Sequence, residues 1–309
     1  MGKIGAEILK KGGKILKYNG IDVSKWQGRI NWNLVKAVGI QFAMIRSSFG
    51  WGKDNVDIFF KTNYEEATKV GIPVGAYHYS YARTPAEAVK EAEHCYSVIK
   101  GKTFSYPIAY DMEESGVAAL GKEKISEIAK AFCEKMESYG YYVCIYSNKH
   151  WFDNYFTDEI FENYDVWLAQ WGNRPTLEKP YGMWQKSSKG RVDGINGYVD
   201  LNESYKHYPS IMKINGLNGY KKSSLKPETE KEKPTPPELV AGLKVELEKA
   251  KLYASSTSKK EVNIISGTYF LYDGKEFNGR LRITNSKENV NRKPISEFVT
   301  GYINKEQII

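Results

Sequence analysis

The chain reads as an α/β protein: an irregular, TIM-like (β/α) barrel followed by a small, mainly β C-terminal domain, SH3-like or similar. Three observations predict this. Between residues 20 and 205, short apolar runs alternate with segments of helical period. Residues 221–238, KKSSLKPETEKEKPTPPE, are polar, proline-rich and charge-mixed, the composition of a semi-extended linker. Beyond them, Asp273-Gly274 and Asn278-Gly279 supply turn chemistry between short β-prone runs.

The expected boundaries are an N-terminal extension at 1–19, the barrel at 20–210, a linker at 211–238 and the β domain at 239–309. Residues 1–17 are basic and suit either a short amphipathic helix or a frayed extension. Strands are predicted at 20–23, 40–47, 73–80, 106–112, 142–147, 165–170, 182–186 and 197–201. Helices are predicted near 34–38, 59–70, 85–99 and 126–139. In the last, Ile125, Ile128, Ala129, Phe132, Cys133 and Met136 repeat with a period of 3.6. Pro85 suits a first helical turn. Little helix separates the last three strands, so the barrel should be irregular. In the tail, 239–248 suits a short helix or lead-in. Strands are expected at 262–265, 268–272, 280–284 and 298–303.

Composition limits the function classes. A hydrophobic fraction of 41% supports a real core. Net charge is +8, and the region from 221 onward holds 17 Lys and Arg against 12 Asp and Glu. That excess favours anionic partners, but the cations are scattered among acids, so nucleic acid is not expected as a partner. Three Cys do not make a disulfide framework and suit synthesis in a reducing cytoplasm. The N-terminus lacks the apolar stretch of a signal peptide, and no run is long enough for a membrane span.

Carboxylates end three apolar runs: Asp22 after Gly20-Ile21, Asp111 and Glu113 after Pro107–Tyr110, and Asp200 after Tyr198-Val199. Residues i and i+2 of a strand share a face, so Asp111 and Glu113 project together. Close carboxylates repel, raising one pKa and leaving the other ionised. A proton donor beside a charged partner is the equipment for glycosidic cleavage. Barrel chemistry sits at the C-terminal ends of strands, and closure makes the first and eighth strands neighbours. The four acids then meet at one mouth.

Other chemistries lack their residues. There is no His-Glu-x-x-His, Cys-x-x-Cys, Gly-x-Ser-x-Gly or phosphate loop, and neither cofactor nor metal is expected. Cys133 and Cys144 fall on apolar faces as packing residues. Tyr77, Tyr79, Tyr110, Tyr146, Trp167, Trp171 and Trp184 gather at strand ends, where rings nearest the mouth would stack on sugar; about half should be core.

Six segments in order, Gly20-Ile21-Asp22-Val23-Ser24, Gly75-Ala76-Tyr77-His78-Tyr79, Tyr110-Asp111-Met112-Glu113, Trp167-Leu168-Ala169-Gln170-Trp171, Trp184-Gln185 and Val199-Asp200-Leu201-Asn202, make residues 20–205 resemble glycoside hydrolase family 25, the Chalaropsis-type N-acetylmuramidases. The resemblance implies a flattened TIM-like barrel. It implies cleavage of the β-1,4 bond from N-acetylmuramic acid to N-acetylglucosamine in peptidoglycan. Glu113 would be the general acid, Asp111 the partner of the 2-acetamido group, and Asp22 and Asp200 would tune charge at the bound sugar. Tyr77, Tyr79, Tyr110, Tyr146, Trp167, Gln170 and Trp184 would contact substrate. An inverting route, with Asp111 or Asp200 activating water, stays open, as do a silent wall-binding protein and a chitinase-like enzyme.

The tail is similar to the wall-binding domains of clostridial phage endolysins. It would bind a cell-wall polymer or join copies of the chain as a homo-oligomer. The expected setting is synthesis in a host bacterial cytoplasm, with action on the wall after release.

Overall fold

The computed structural model describes residues 17–221 and 239–307, together with the backbone at 10–11, 14–15 and 308. The chain falls into two compact units, Met1–Pro227 and Glu228–Ile309.

In the first unit eight strands close into a barrel. They are β1 (Tyr18–Val23), β2 (Phe42–Phe49), β3 (Val74–Tyr79), β4 (Ile108–Asp111), β5 (Val143–Asn148), β6 (Asp165–Ala169), β7 (Met183–Gly190) and β8 (Val199–Ser204). Around them lie α1 (Trp32–Ala37), α2 (Phe60–Lys69), α3 (Pro85–Ile99), α4 (Lys122–Ser138), α5 (Lys149–Asn154) and α6 (Asp158–Asn163). Sequence dictates their ends. Thr84 and Glu87 form a reciprocal capping box at the start of α3, with Pro85 in its first turn. The apolar stripe of α4 from Ile125 to Met136 is fully buried.

The eighth strand departs from expectation. Neighbouring strands from β1 to β7 pair in parallel, but β8 runs antiparallel to both β7 and β1. The cause is the short connection at 191–198, which contains no helix. A parallel return needs a crossover of about a dozen residues or more, so the chain turns straight back. Asp200 therefore reaches the mouth from the N-terminal end of its strand, not from the C-terminal end.

Two apolar layers follow from the strand alternation. Ile21, Ile45, Ile108, Tyr110, Ile145, Val166 and Leu168 face outward into the helices. Phe42, Met44, Ala109, Cys144, Tyr146, Trp167 and Met183 fill the barrel. Its lower end is closed by α7 (Tyr208–Asn215), whose Tyr208 and Met212 are fully buried. Asn218 then accepts a bond from the Tyr142 backbone N–H at 2.6 Å and donates to the Tyr106 carbonyl at 2.8 Å. The expected linker start at 211 is thus too early, because residues 211–220 close the barrel. Residues 222–238 lie outside the described residues. The extension also ends sooner than expected: Tyr18 and Asn19 belong to β1, and Lys10–Lys11 pairs antiparallel with Lys14–Ile15 where a helix was considered.

The second unit is a four-stranded antiparallel sheet of β9 (Lys244–Leu252), β10 (Asn263–Phe277), β11 (Arg280–Thr284) and β12 (Gly301–Asn304). Tyr253 and Tyr302 exchange two backbone bonds, at 2.8 and 2.9 Å, which curls the first strand towards the last. Residues 244–248 are strand rather than helix, because alternation buries Val245 and Leu247. The two strands expected at 262–265 and 268–272 form one long strand, and Asp273-Gly274 is an irregularity within it. Asn278-Gly279 is the hairpin turn, both residues having positive φ as a type I′ turn requires.

Candidate active site

A cleft of about 360 Å³ opens at the C-terminal ends of β1–β7 and contains all four predicted acids, Asp22, Asp111, Glu113 and Asp200. Asp111 closes β4, and Glu113 follows two residues later with its side chain on the same side. Met112 between them points into the outer core. The alternation expected for Asp111 and Glu113 thus survives past the end of the strand. Asp200 stands directly opposite Asp22 in the β1–β8 ladder.

Burial and crowding set the electrostatics. Asp22 is buried, and its Oδ2 accepts bonds from Gln185 Nε2 at 2.9 Å and Asn202 Nδ2 at 2.7 Å. These donors favour the ionised form, but desolvation and then Asp200 outweigh them, and its pKa is pushed up to about 8. Burial, then Glu113 and Asp22, raise Asp111 well above the carboxylate range, while Arg46 pulls it down. Glu113 is raised by burial, then by Asp200 and Glu114. Asp200 is raised by burial to about 6. Asp111 and Glu113 crowd each other as the sequence predicts. Both are raised, because each is desolvated among other acids. Glu113 is the more exposed of the two and can exchange its proton with solvent.

Tyr77, Tyr79, Tyr146 and Trp167 line the cleft as predicted. Three predicted contacts do not. Tyr110 is fully buried outside the barrel, stacked on Phe132 at 3.8 Å and donating to Glu91 at 2.6 Å. Trp184 is buried in the outer layer, its indole donating to the Gln170 carbonyl at 2.7 Å. Gln170 turns away as well, and its amide is spent on Thr176. In each case the strand neighbour, Asp111, Gln185 or Ala169, takes the inward position, so period two excludes the residue beside it.

The cleft also recruits Ser24, Trp26, Gln27, Arg46, Trp171 and Gln185. Arg46 is the one cation among its lining residues. It pairs with buried Asp57 through Nε and Nη2, both at 2.8 Å. The inward positions Phe42 and Met44 predict Arg46 by the same alternation. Trp26 is carried by the loop after β1, where Lys25 N–H donates to Asp57 Oδ2 at 2.9 Å. Nothing in the local sequence signals that long-range tie.

The barrel that carries this cleft has counterparts among known proteins. The family model for glycosyl hydrolases family 25 matches residues 21–195, more than half of the chain. The chain belongs to that family. It is 30% identical over 190 residues to the autolytic lysozyme of Clostridium acetobutylicum, covering 60% of this chain and 55% of that protein. It is 30% identical over 203 residues to lysozyme M1 of Streptomyces globisporus, covering 60% of this chain and 66% of the relative. The chain therefore spans little more than half to two thirds of these relatives' lengths. Among solved structures, the CTP1L endolysin superposes with a TM-score of 0.54 and 28% identity over 60% of this chain and 65% of its own. A lysozyme from Streptomyces coelicolor gives 0.51 and 28%, over 60% and 90%. A family 25 hydrolase from Bacillus anthracis, at 22% identity and TM-score 0.56 over 65% and 93%, shares the fold.

Proposed function

We propose that this family 25 chain is a peptidoglycan hydrolase that cuts the β-1,4 bond between N-acetylmuramic acid and N-acetylglucosamine. One observation carries the reading: four raised carboxyl groups share a single cleft floored and rimmed by aromatic rings. The lysozyme names of its relatives agree with it.

Glu113, whose raised pKa favours the proton-bearing form and which is half-open to solvent, gives its proton to the leaving glycosidic oxygen. Asp111 holds the 2-acetamido group of the bound sugar, whose carbonyl oxygen closes on the anomeric carbon as the bond breaks. Water then opens that ring and returns the proton to Glu113. Tyr77, Tyr146 and Trp167 supply ring faces for the sugar's C–H surface. The C-terminal sheet holds the enzyme to a wall polymer, self-association being the alternative role for that sheet. The enzyme is made in a host bacterial cytoplasm and acts on the wall after release.

The test is mass analysis, with anomers resolved, of fragments released from purified peptidoglycan by the full chain and by Glu113→Gln. Muramic acid at the new reducing ends, and loss of release in the variant with wall binding kept, is the expected result. Undiminished release by Glu113→Gln, or cleavage at the other glycosidic bond, would overturn it.

A further inference from the structure

The two amides that hold Asp22 are themselves held in one orientation. The indole N–H of Trp167 donates to Asn202 Oδ1 at 2.8 Å, so the Asn202 NH₂ must face Asp22. Gln185 is fixed twice: its Oε1 accepts from the Tyr146 hydroxyl at 3.1 Å and from the Trp171 indole at 3.1 Å. An indole N–H can only donate, so Gln185 cannot turn its NH₂ away from Asp22 while Trp171 is in place. Gln185 is 3% exposed and Trp171 is 65% exposed. The chain of bonds thus runs from the open rim to a buried carboxyl: Trp171, Gln185, Asp22.

We propose that Gln185 is a positioning residue of the cleft, and that Trp171 is the donor through which occupancy of the rim is passed to Asp22. A sugar stacked on Trp171 pins the indole, which pins the Gln185 amide, which fixes the second N–H on Asp22. With the rim empty, the indole is held by that bond at an exposed site, and the amide relies more on Tyr146. Trp171 then has two separable functions, a ring face that binds and an N–H that orients. This rests on the cleft being the catalytic site of a glycoside hydrolase.

The groups facing Asp22 are Asp200 from β8, Asp111 at the end of β4 and Glu113 just beyond it, Arg46 from β2, Tyr77 from β3 and Tyr146 from β5. Loss of one N–H donor disfavours the ionised carboxylate, so the Asp22 titration moves to higher pH.

The experiment compares Trp171→Phe, Gln185→Leu and the double variant in the full chain. Phenylalanine keeps a ring face and removes the N–H. Two readouts are taken: the pH profiles of kcat and KM on purified peptidoglycan, and the pH dependence of the melting temperature. In Trp171→Phe, kcat should fall about three- to tenfold with KM within twofold. The ionisation that Asp22→Asn abolishes should shift upward in both readouts. In the Gln185→Leu background, Trp171→Phe should shift that ionisation no further. A change in KM alone with unmoved profiles, or an equal shift in both backgrounds, makes Trp171 a stacking ring only and overturns the relay. The melting readout decides this even if the chain releases no fragments, an outcome that would sink the enzymatic reading instead.

Discussion

Asp200 faces Asp22 across the antiparallel ladder that closes the barrel, so two carboxyl groups meet where like charges are costly. The pairing exists because β8 turns straight back from β7, and it works against stability. In an unfolded chain both acids titrate near 3.8, whereas in the fold Asp22 is raised to about 8 and Asp200 to about 6.

The sign follows from linkage. Between the unfolded and folded values the native state holds protons the unfolded chain has lost, so stability falls as pH rises. The contribution is complete below about pH 4 and is lost progressively above it, through the folded values of about 6 for Asp200 and about 8 for Asp22. Asp22→Asn should therefore raise the barrel's melting temperature at pH 8 by at least ~3 °C, and by much less at pH 5. Calorimetry at the two pH values checks it. An equal gain at both would mean that charge is not the cause.

Arg46 and Asp57 should move the pH profile in opposite directions. Asp111 is faced by Glu113, by Asp22, by the Tyr77, Tyr79 and Tyr146 hydroxyls, and by Arg46, whose charge is shared with Asp57. Arg46→Gln removes the one influence that lowers Asp111, so the ionisation that Asp111→Asn abolishes should move up by ~1 unit. Asp57→Asn leaves Arg46 uncompensated, and the same ionisation should move down. Shifts of the same sign in kcat/KM profiles would make both residues merely structural.

Tyr110 offers a sharp test of side-chain alternation. It precedes Asp111, yet it faces the helices and donates to buried Glu91, which also accepts the Tyr81 backbone N–H at 2.7 Å. Tyr110→Phe should leave KM unchanged within twofold and cost ~1–3 kcal/mol of stability, because a buried carboxyl loses a donor. Denaturant unfolding together with steady-state kinetics separates the two. A large rise in KM would return Tyr110 to the cleft.

These cases also mark what was legible in the sequence. The barrel, its strand positions and the four acids could be read because apolar runs, helical periods and strand-end carboxylates are local patterns. Tyr110, Trp184 and Gln170 were misassigned because residue type was weighed above parity: each stands beside an inward residue and must face out. The reversal of β8 could have been inferred from the helix-free connection at 191–198. The tie from Asp57 to Lys25 and Arg46 could not, since it joins three segments that only the closed fold brings together.

The lower end of the barrel carries a buried charge pair whose disruption should be costly. Asp165 Oδ2 accepts from Lys206 Nζ at 2.9 Å, from Tyr208 Oη at 2.6 Å and from Tyr142 Oη at 3.1 Å. The cluster fits because residue 182 is glycine. A Cβ there would lie 2.1 Å from Tyr208 Oη and 2.7 Å from Asp165 Oδ1. Asp165→Asn strands the buried Lys206 ammonium and should cost ~3–5 kcal/mol. Adding Lys206→Met should recover much of that loss, because it removes the uncompensated charge. Gly182→Ala should cost ~1–3 kcal/mol by overpacking. All three are read by urea unfolding of the full chain at pH 7, following the barrel's tryptophan fluorescence. Failure of Lys206→Met to rescue Asp165→Asn would place the cost in the lost tyrosine bonds instead of the stranded charge.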